Sequence, residues 1–71
     1  MTTVIITTEY IKLQDLLKFE NLVETGGIAK QVIQDGEVQV NGEVCLMRGK
    51  KIRPGDVVSF AGRTYTVAYE S

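Results

Sequence analysis

Histidine is absent from this 71-residue sequence, and Cys45 is its only cysteine. A disulfide within the chain is therefore impossible, as are a zinc site of cysteine and histidine and a nucleophile activated by histidine. No two carboxylates lie in settings that favour opposed acid and base roles. Because Cys45 falls inside a strand pattern, we interpret it as a structural thiol. The sequence predicts a protein that is not an enzyme and holds no metal or cofactor.

The sequence also lacks a long apolar run, which excludes a membrane-spanning helix and the apolar segment of a signal peptide. Apolar residues make up 44% of the chain and charged residues 24%, proportions typical of a globular domain rather than of a disordered segment. We therefore expect a single domain over residues 1–71, located in the cytoplasm, whose binding takes place on its surface.

Basic residues are scarce in the first two thirds of the sequence and concentrated in the last third. Residues 1–47 carry three lysines against seven acidic residues, a net charge of −4, whereas residues 48–71 carry five basic against two acidic residues, a net charge of +3. Four of those five lie in residues 48–53, here called the basic segment: Arg48, Lys50, Lys51 and Arg53. This segment has no regular period and is predicted to be a loop. Positive charge concentrated in this way favours binding to a polyanion over a merely solvated surface.

Hydrophobic periodicity predicts two short helices. Apolar residues from Leu13 to Leu22 recur at helical spacing, which predicts a first helix at about residues 12–21. A second helix is expected to begin after Thr25, whose hydroxyl suits an N-cap, and to end at Gly36, which supplies a left-handed residue. The link between them is only a few residues long, so the two helices should pack as a hairpin.

Runs of β-branched and aromatic residues predict strands on both sides of the helices. Residues 2–8 are expected to form the first strand, and residues 57–60 and 63–69 the last two. Between them, Asn41-Gly42 within an alternating apolar pattern predicts a hairpin with a two-residue turn. The expected fold is α+β: a short helical hairpin packed on a small, mostly antiparallel β-sheet.

The alternation around the hairpin turn also predicts which side chains face the helices. The expected inward set is Val38, Val40, Val44 and Leu46, and the expected outward set is Gln39, Glu43 and Cys45.

The start of the second helix, Thr25-Gly26-Gly27, is a candidate anion site. Backbone N–H groups and the positive end of the helix dipole attract an anion there, and glycine allows a phosphate oxygen to approach closely. Lys30 lies one turn further along. The alternative is a capped helix whose glycines merely permit a sharp change of chain direction, and the motif alone is too weak to choose between the two.

Taken together, these residues resemble the RNA-binding domain family named after the fourth small-subunit ribosomal protein. The resemblance covers about residues 11–60 and is carried by Lys12-Leu13-Gln14, Leu17, Thr25-Gly26-Gly27, Ala29-Lys30, Ile33, Gly36, Val38, Val40-Asn41-Gly42 and Pro54-Gly55-Asp56. The pairing of Val-x-Val-Asn-Gly with a downstream Pro-Gly-Asp is more specific than either motif alone. The sequence is most similar to the free-standing, single-domain bacterial branch of the family, and the implied fold is of the αL type.

The resemblance implies a non-enzymatic protein that binds structured RNA, either ribosomal or transfer RNA, with the ribosome or a ribosomal subunit as a partner. It implies neither a membrane nor a small-molecule substrate. The implied RNA contacts are Lys12, Thr25, Gly26, Gly27, Lys30, Arg48, Lys50, Lys51 and Arg53. Many members have an arginine directly after the Ser/Thr cap, where this chain has Gly26, so backbone N–H groups and Lys30 would have to replace that phosphate contact.

Two further interpretations stay open at this point. Tyr10, Tyr65 and Tyr69 could stack on RNA bases, although tyrosines at strand spacing more often pack in the core or at its rim. The main functional alternative is a protein-interaction module that docks on a ribosomal or replication protein through the sheet edge or the acidic first half of the chain.

Overall fold

Two helices pack on a five-stranded sheet in the computed structural model, which describes residues 2–70. Met1 and Ser71, the ends of the predicted domain, lie outside the described residues. The elements in chain order are β1 (Thr2–Ile6), β2 (Ile11–Lys12), α1 (Leu13–Phe19), α2 (Gly26–Gln34), β3 (Val38–Val40), β4 (Glu43–Val44), β5 (Lys51–Ile52), β6 (Val57–Phe60) and β7 (Arg63–Tyr69). The predicted α+β fold, with its helical hairpin on a mostly antiparallel sheet, is confirmed.

The strands of the large sheet are arranged in the order β1-β7-β6-β3-β4. All neighbours are antiparallel except β1 and β7, which pair in parallel with Val4 opposite Val67. The first strand ends at Ile6 rather than at residue 8. A second, two-stranded ribbon is formed by β2 and β5, with Ile11 opposite Ile52.

This ribbon corrects the prediction that the basic segment is entirely a loop. Its middle residues Lys51 and Ile52 form β5. The physical reason is Ile52, whose side chain is completely buried in the core and therefore draws the backbone against β2. The two strands then satisfy part of each other's backbone hydrogen-bonding groups.

Both helices end in the same type of backbone motif. After α2, Gly36 has a φ of 77°, and its N–H donates to the carbonyl of Ile33 while that of Glu37 donates to Val32. These paired bonds form a Schellman motif, which confirms the predicted role of Gly36. The helix satisfies its last carbonyl groups in this way.

In α1 the corresponding left-handed residue is Asn21, with a φ of 57°. The N–H of Leu22 then donates to the carbonyl of Leu17. As a result α1 spans Leu13–Phe19, and the predicted range of residues 12–21 was too long at both ends. Asparagine tolerates the left-handed region better than most residues other than glycine, which explains why the helix ends here.

The Asn41-Gly42 turn has the predicted geometry. Both residues have positive φ angles, 53° and 85°, and Val40 lies opposite Glu43, so the turn has two residues. Ala61 and Gly62 connect β6 to β7 in the same manner, with φ angles of 54° and 76°.

The predicted facing of the residues after this turn is wrong. Val44 is 54% exposed and Leu46 60% exposed, whereas Cys45 is partly buried against the core. A two-residue turn places residue 43 opposite residue 40 and residue 44 opposite residue 39. Val44 therefore shares the outer face with Gln39, and Cys45, whose N–H donates to the carbonyl of Val38, lies on the inner side.

The core lies between the helices and the inner face of the sheet. The side chains that are least exposed, at 1% or below, come from both layers and from the ribbon: Val4, Leu13, Leu16, Leu17, Ala29, Ile33, Val38, Ile52, Val58 and Val67. Neither α1 nor α2, the helices within residues 2–70, is long and apolar enough to cross a membrane.

Candidate nucleic-acid interface

The basic segment is bound through its backbone to the start of α1. The N–H of Leu13 donates to the carbonyl of Lys50 at 2.9 Å, and the N–H of Gln14 donates to the carbonyl of Arg48 at 3.1 Å. The first N–H groups of a helix have no acceptor within the helix itself. Here the basic segment supplies the missing acceptors, so its position is tied to the first turn of α1.

Two lysines lie directly opposite each other on the ribbon. Lys12 of β2 pairs in register with Lys51 of β5, and both side chains are exposed. The neighbouring pair, Ile11 and Ile52, turns toward the core. Like charges directly across two strands repel each other and destabilise the pairing.

The positive charge of this region is not neutralised by carboxylates. Among the described residues the ion pair within 4.0 Å is Lys18 with Asp15, on the exposed side of α1. We define the basic cluster as the five cations that the ribbon and the α1 start bring together: Lys12, Arg48, Lys50, Lys51 and Arg53. None of their charged side-chain nitrogens has a carboxylate oxygen within that distance in the part of the chain that the structure describes.

Tyr10 organises two members of the basic cluster. The Lys51 Nζ lies 5.0 Å from the centroid of the Tyr10 ring, and the Arg53 guanidinium carbon lies 6.0 Å from it. Both are cation–π distances. Thr8 donates its hydroxyl to the Tyr10 carbonyl at 2.8 Å and steadies this short connection. The sequence predicts Tyr10 only as a candidate for base stacking. It does not predict the contacts with Lys51 and Arg53, because the whole helical hairpin separates these residues from Tyr10 in the chain.

The Asn-Gly and Pro-Gly-Asp motifs are joined by side-chain hydrogen bonds. The Asp56 carboxylate accepts from the Asn41 amide at 3.2 Å and from the Arg53 N–H at 2.8 Å. The Asn41 side-chain oxygen accepts from the N–H of Val57 at 2.9 Å. The two motifs therefore serve the structure: they tie the hairpin turn to the turn at Pro54-Gly55 and set the backbone position of Arg53.

The start of α2 forms the second part of the candidate interface. Thr25 caps the helix as predicted, because its hydroxyl accepts from the N–H of Ile28 at 3.2 Å. The N–H groups of Gly26 and Gly27 donate to no acceptor among the described residues. A Cβ at Gly26 would meet nothing within 4 Å, and one at Gly27 would meet only the Thr25 hydroxyl, at 3.7 Å. Packing therefore does not require glycine at either position.

The structure thus divides the predicted site residues into two groups. The first is the basic cluster, and the second, which we call the α2 start, consists of Thr25, Gly26, Gly27 and the exposed Lys30. Within residues 2–70 no hydrogen bond or ring contact joins the two groups, and no three His, Cys, Asp or Glu side chains are placed to hold a metal ion.

The chain thus combines a helical hairpin on a small mixed sheet with a basic ribbon at the start of the first helix. Residues 4–68 match the family model described as the S4 domain. The chain belongs to the S4 domain family, and the resemblance found in its motifs is confirmed.

Two bacterial relatives are similar over most of their length. YbcJ of Escherichia coli is 43% identical over 58 residues, covering 82% of this chain and 83% of YbcJ. RlbA of Bacillus subtilis, named as a probable ribosome maturation protein, is 42% identical over 57 residues, covering 80% of both chains. Neither name describes an enzyme, in agreement with the prediction of a non-catalytic protein.

Solved structures show the same architecture. The solution structure of E. coli YbcJ, described as revealing an αL motif involved in RNA binding, has a TM-score of 0.72 and 39% identity, and the match covers 96% of this chain and 87% of YbcJ. The ribosomal protein S4e of Thermoplasma acidophilum has a TM-score of 0.67 at 20% identity, covering 90% of this chain and 34% of S4e. The second likeness concerns the fold alone.

Proposed function

We propose that this chain is a non-catalytic, cytoplasmic RNA-binding protein that holds the phosphate backbone of structured RNA. The basic cluster is the main contact, and the α2 start binds a further phosphate through the N–H groups of Gly26 and Gly27 with Lys30. The names of the relatives, which refer to RNA binding and to ribosome maturation, support an RNA partner and favour ribosomal over transfer RNA.

The observation that carries the proposal is the Lys12–Lys51 pair. Two lysines placed opposite each other without a carboxylate partner cost stability in the free protein. Lys12 also lies at the start of α1, where a cation is unfavourable because the helix dipole is positive at that end. A row of phosphates removes both penalties, because each lysine gains an opposite charge and counterions are released from the RNA.

The glycines of the α2 start support a second phosphate contact. Glycine near a helix start lowers helix stability relative to alanine, and here neither packing nor a positive φ demands it. Absence of a side chain does leave the free N–H groups open to a large anion. Such backbone contacts position RNA without reading bases, so the shape of the RNA provides most of the selectivity at these two sites.

Charge reversal is the direct test of the basic cluster. With about four phosphates neutralised, a fourfold rise in salt concentration should weaken binding to a ribosomal RNA fragment by about 10²-fold. The double variant Lys50→Glu/Lys51→Glu should lose at least about 10²-fold in affinity at low salt, because two attractive contacts become repulsive. Fluorescence anisotropy with a labelled RNA hairpin measures both effects.

A matched control is available on the same chain. Lys18→Glu/Arg63→Glu changes the net charge equally, at two exposed positions outside the basic cluster, and should weaken binding by less than about tenfold through the long-range field alone. Equal losses in the two double variants, or affinity that does not respond to salt, would contradict the phosphate-grip model.

Cross-linking in growing bacterial cells identifies the RNA itself. Sequencing of RNA recovered with the wild-type protein should show enrichment of a defined ribosomal RNA region, and the Lys50→Glu/Lys51→Glu variant should lose it. Recovery of background RNA together with a protein that co-purifies equally with both forms would instead identify the chain as a protein adaptor.

A further inference from the structure

A groove with an exposed apolar wall lies at the edge of the sheet beside β4. Its exposed walls are Val44, Leu46 and Met47, with exposures of 54%, 60% and 65%. The groove has a volume of about 400 Å³ and is also lined by Val40, Asn41, Glu43, Cys45 and Lys50. Large apolar side chains that are exposed together mark a binding surface more often than isolated ones do.

The groove is continuous with the basic cluster. Met47 and Lys50 also line a neighbouring cleft of about 350 Å³, whose other walls are Gly49, Lys51 and Arg53. An RNA strand whose phosphates lie on Lys50 and Lys51 would therefore have the adjoining base within reach of the apolar walls. The shared walls connect an apolar surface to an uncompensated positive one.

We propose that this groove holds one unpaired base of the bound RNA. The inference rests on the proposed function and adds base recognition to a phosphate grip that has none. Leu46 and Met47 pack on the face of the base, where a thioether also makes favourable contacts with an aromatic ring, and the Lys50 ammonium binds the phosphate of the same nucleotide. A nucleotide is the occupant that the charges favour, because it combines an apolar ring with an anion at the end where Lys50 lies.

Glu43 selects the base. The Asn41 amide in the same lining is already bonded to Asp56 and Val57, whereas the Glu43 carboxylate has no hydrogen-bond or ion-pair partner among the described residues. A carboxylate only accepts hydrogen bonds. Guanine presents two adjacent N–H donors that fit its two oxygens, while uracil presents one N–H between two carbonyl oxygens that repel it. The groove therefore prefers guanine to uracil.

Short single-stranded RNAs test this preference. We would measure the fluorescence anisotropy of three labelled oligouridine probes that carry guanosine, inosine or uridine at one central position. The guanine probe should bind about tenfold more tightly than the uracil probe, as expected when one carboxylate accepts a pair of hydrogen bonds from the base. Inosine, which lacks the second donor, should be intermediate. Glu43→Gln should remove most of the difference between guanine and uracil.

The apolar walls are tested with a matched pair of variants. Leu46→Ser/Met47→Ser should weaken binding of the guanine probe about tenfold and leave the salt dependence unchanged. Phe19→Ser is the control, because Phe19 is 60% exposed like Leu46 but lies at the end of α1 outside the groove. It should bind as the wild type does.

The possible failures are distinguishable. Equal affinity for the guanine and uracil probes, with wild-type binding by the groove variants, would overturn the base site while the salt dependence and the Lys50→Glu/Lys51→Glu loss remain. Absence of salt-dependent binding to any RNA, single-stranded or folded, would overturn the proposed function and the base site with it.

Discussion

The starts of the two helices differ in whether their first backbone N–H groups have hydrogen-bond acceptors. At α1 the N–H groups of Leu13 and Gln14 donate to carbonyl oxygens of the basic segment. At α2 the Thr25 hydroxyl satisfies the N–H of Ile28, and those of Gly26 and Gly27 find no acceptor in the described part of the chain. The N–H groups at the start of α1 therefore bind the basic segment to the helix, whereas those of Gly26 and Gly27 at the start of α2 remain accessible to an anion.

The comparison explains how a chain with an overall charge of −1 presents a strongly basic surface. Docking on α1 brings four cations of the basic segment to Lys12 at the positive end of a helix, an arrangement that is unfavourable without a ligand. The burial of Leu13 and Ile52 offsets this cost. The core thus holds the five cations of the basic cluster close together.

The largest effect is expected from removing a buried side chain at the start of α1. Leu13 is completely buried, so Leu13→Ala should lower the free energy of unfolding by about 2–5 kcal/mol. Ile28→Ala on α2 is the control, because Ile28 is 43% exposed, and it should cost less than about 1 kcal/mol. Urea unfolding followed by circular dichroism measures both, and similar losses would show that α1 is not the more firmly anchored helix.

The open helix start should respond in the opposite sense. Gly26→Ala places a methyl group in free space and Gly27→Ala places one in ordinary contact with the Thr25 hydroxyl, so each should leave stability unchanged or raise it by up to about 1 kcal/mol. The same methyl groups stand between the N–H groups and an approaching phosphate, so affinity for RNA should fall about fivefold. A double variant that is more stable and binds RNA as tightly as the wild type would remove α2 from the interface.

The smallest effect concerns the ring that orders the basic cluster. Tyr10→Leu removes both cation–π contacts and should weaken RNA binding about threefold, since an exposed contact of this kind contributes about 0.5–1 kcal/mol. Tyr10→Phe retains the ring and should bind normally. Rescue by phenylalanine, with equal melting temperatures for the two variants, separates positioning of Lys51 and Arg53 from a general loss of packing.

Local features of this protein were readable from the sequence because short-range interactions determine them. Asn41-Gly42 adopts the predicted turn since both positions need positive φ angles, and Thr25 and Gly36 begin and end α2 as their chemistry requires. The structure places the nine predicted site residues in two groups, and their contact with RNA stays a prediction.

The errors arose where a second segment decides the outcome. The basic segment has no period of its own, yet Lys51–Ile52 becomes a strand because β2 is available to pair with it. Alternation alone predicts that Val44 and Leu46 face the core, but the two-residue turn places Val44 opposite Gln39 on the outer face, and both side chains are exposed. The sequence therefore does not predict the groove that they line.

The sequence by itself determined the helical hairpin, the turn types and the concentration of positive charge, because each depends on residues within a few positions of one another. Only the tertiary structure decided that Lys12 faces Lys51, that Tyr10 contacts Lys51 and Arg53, and that the groove beside β4 adjoins the basic cluster. The physical reason is that burial of the shared core, rather than any local preference, brings these distant segments together.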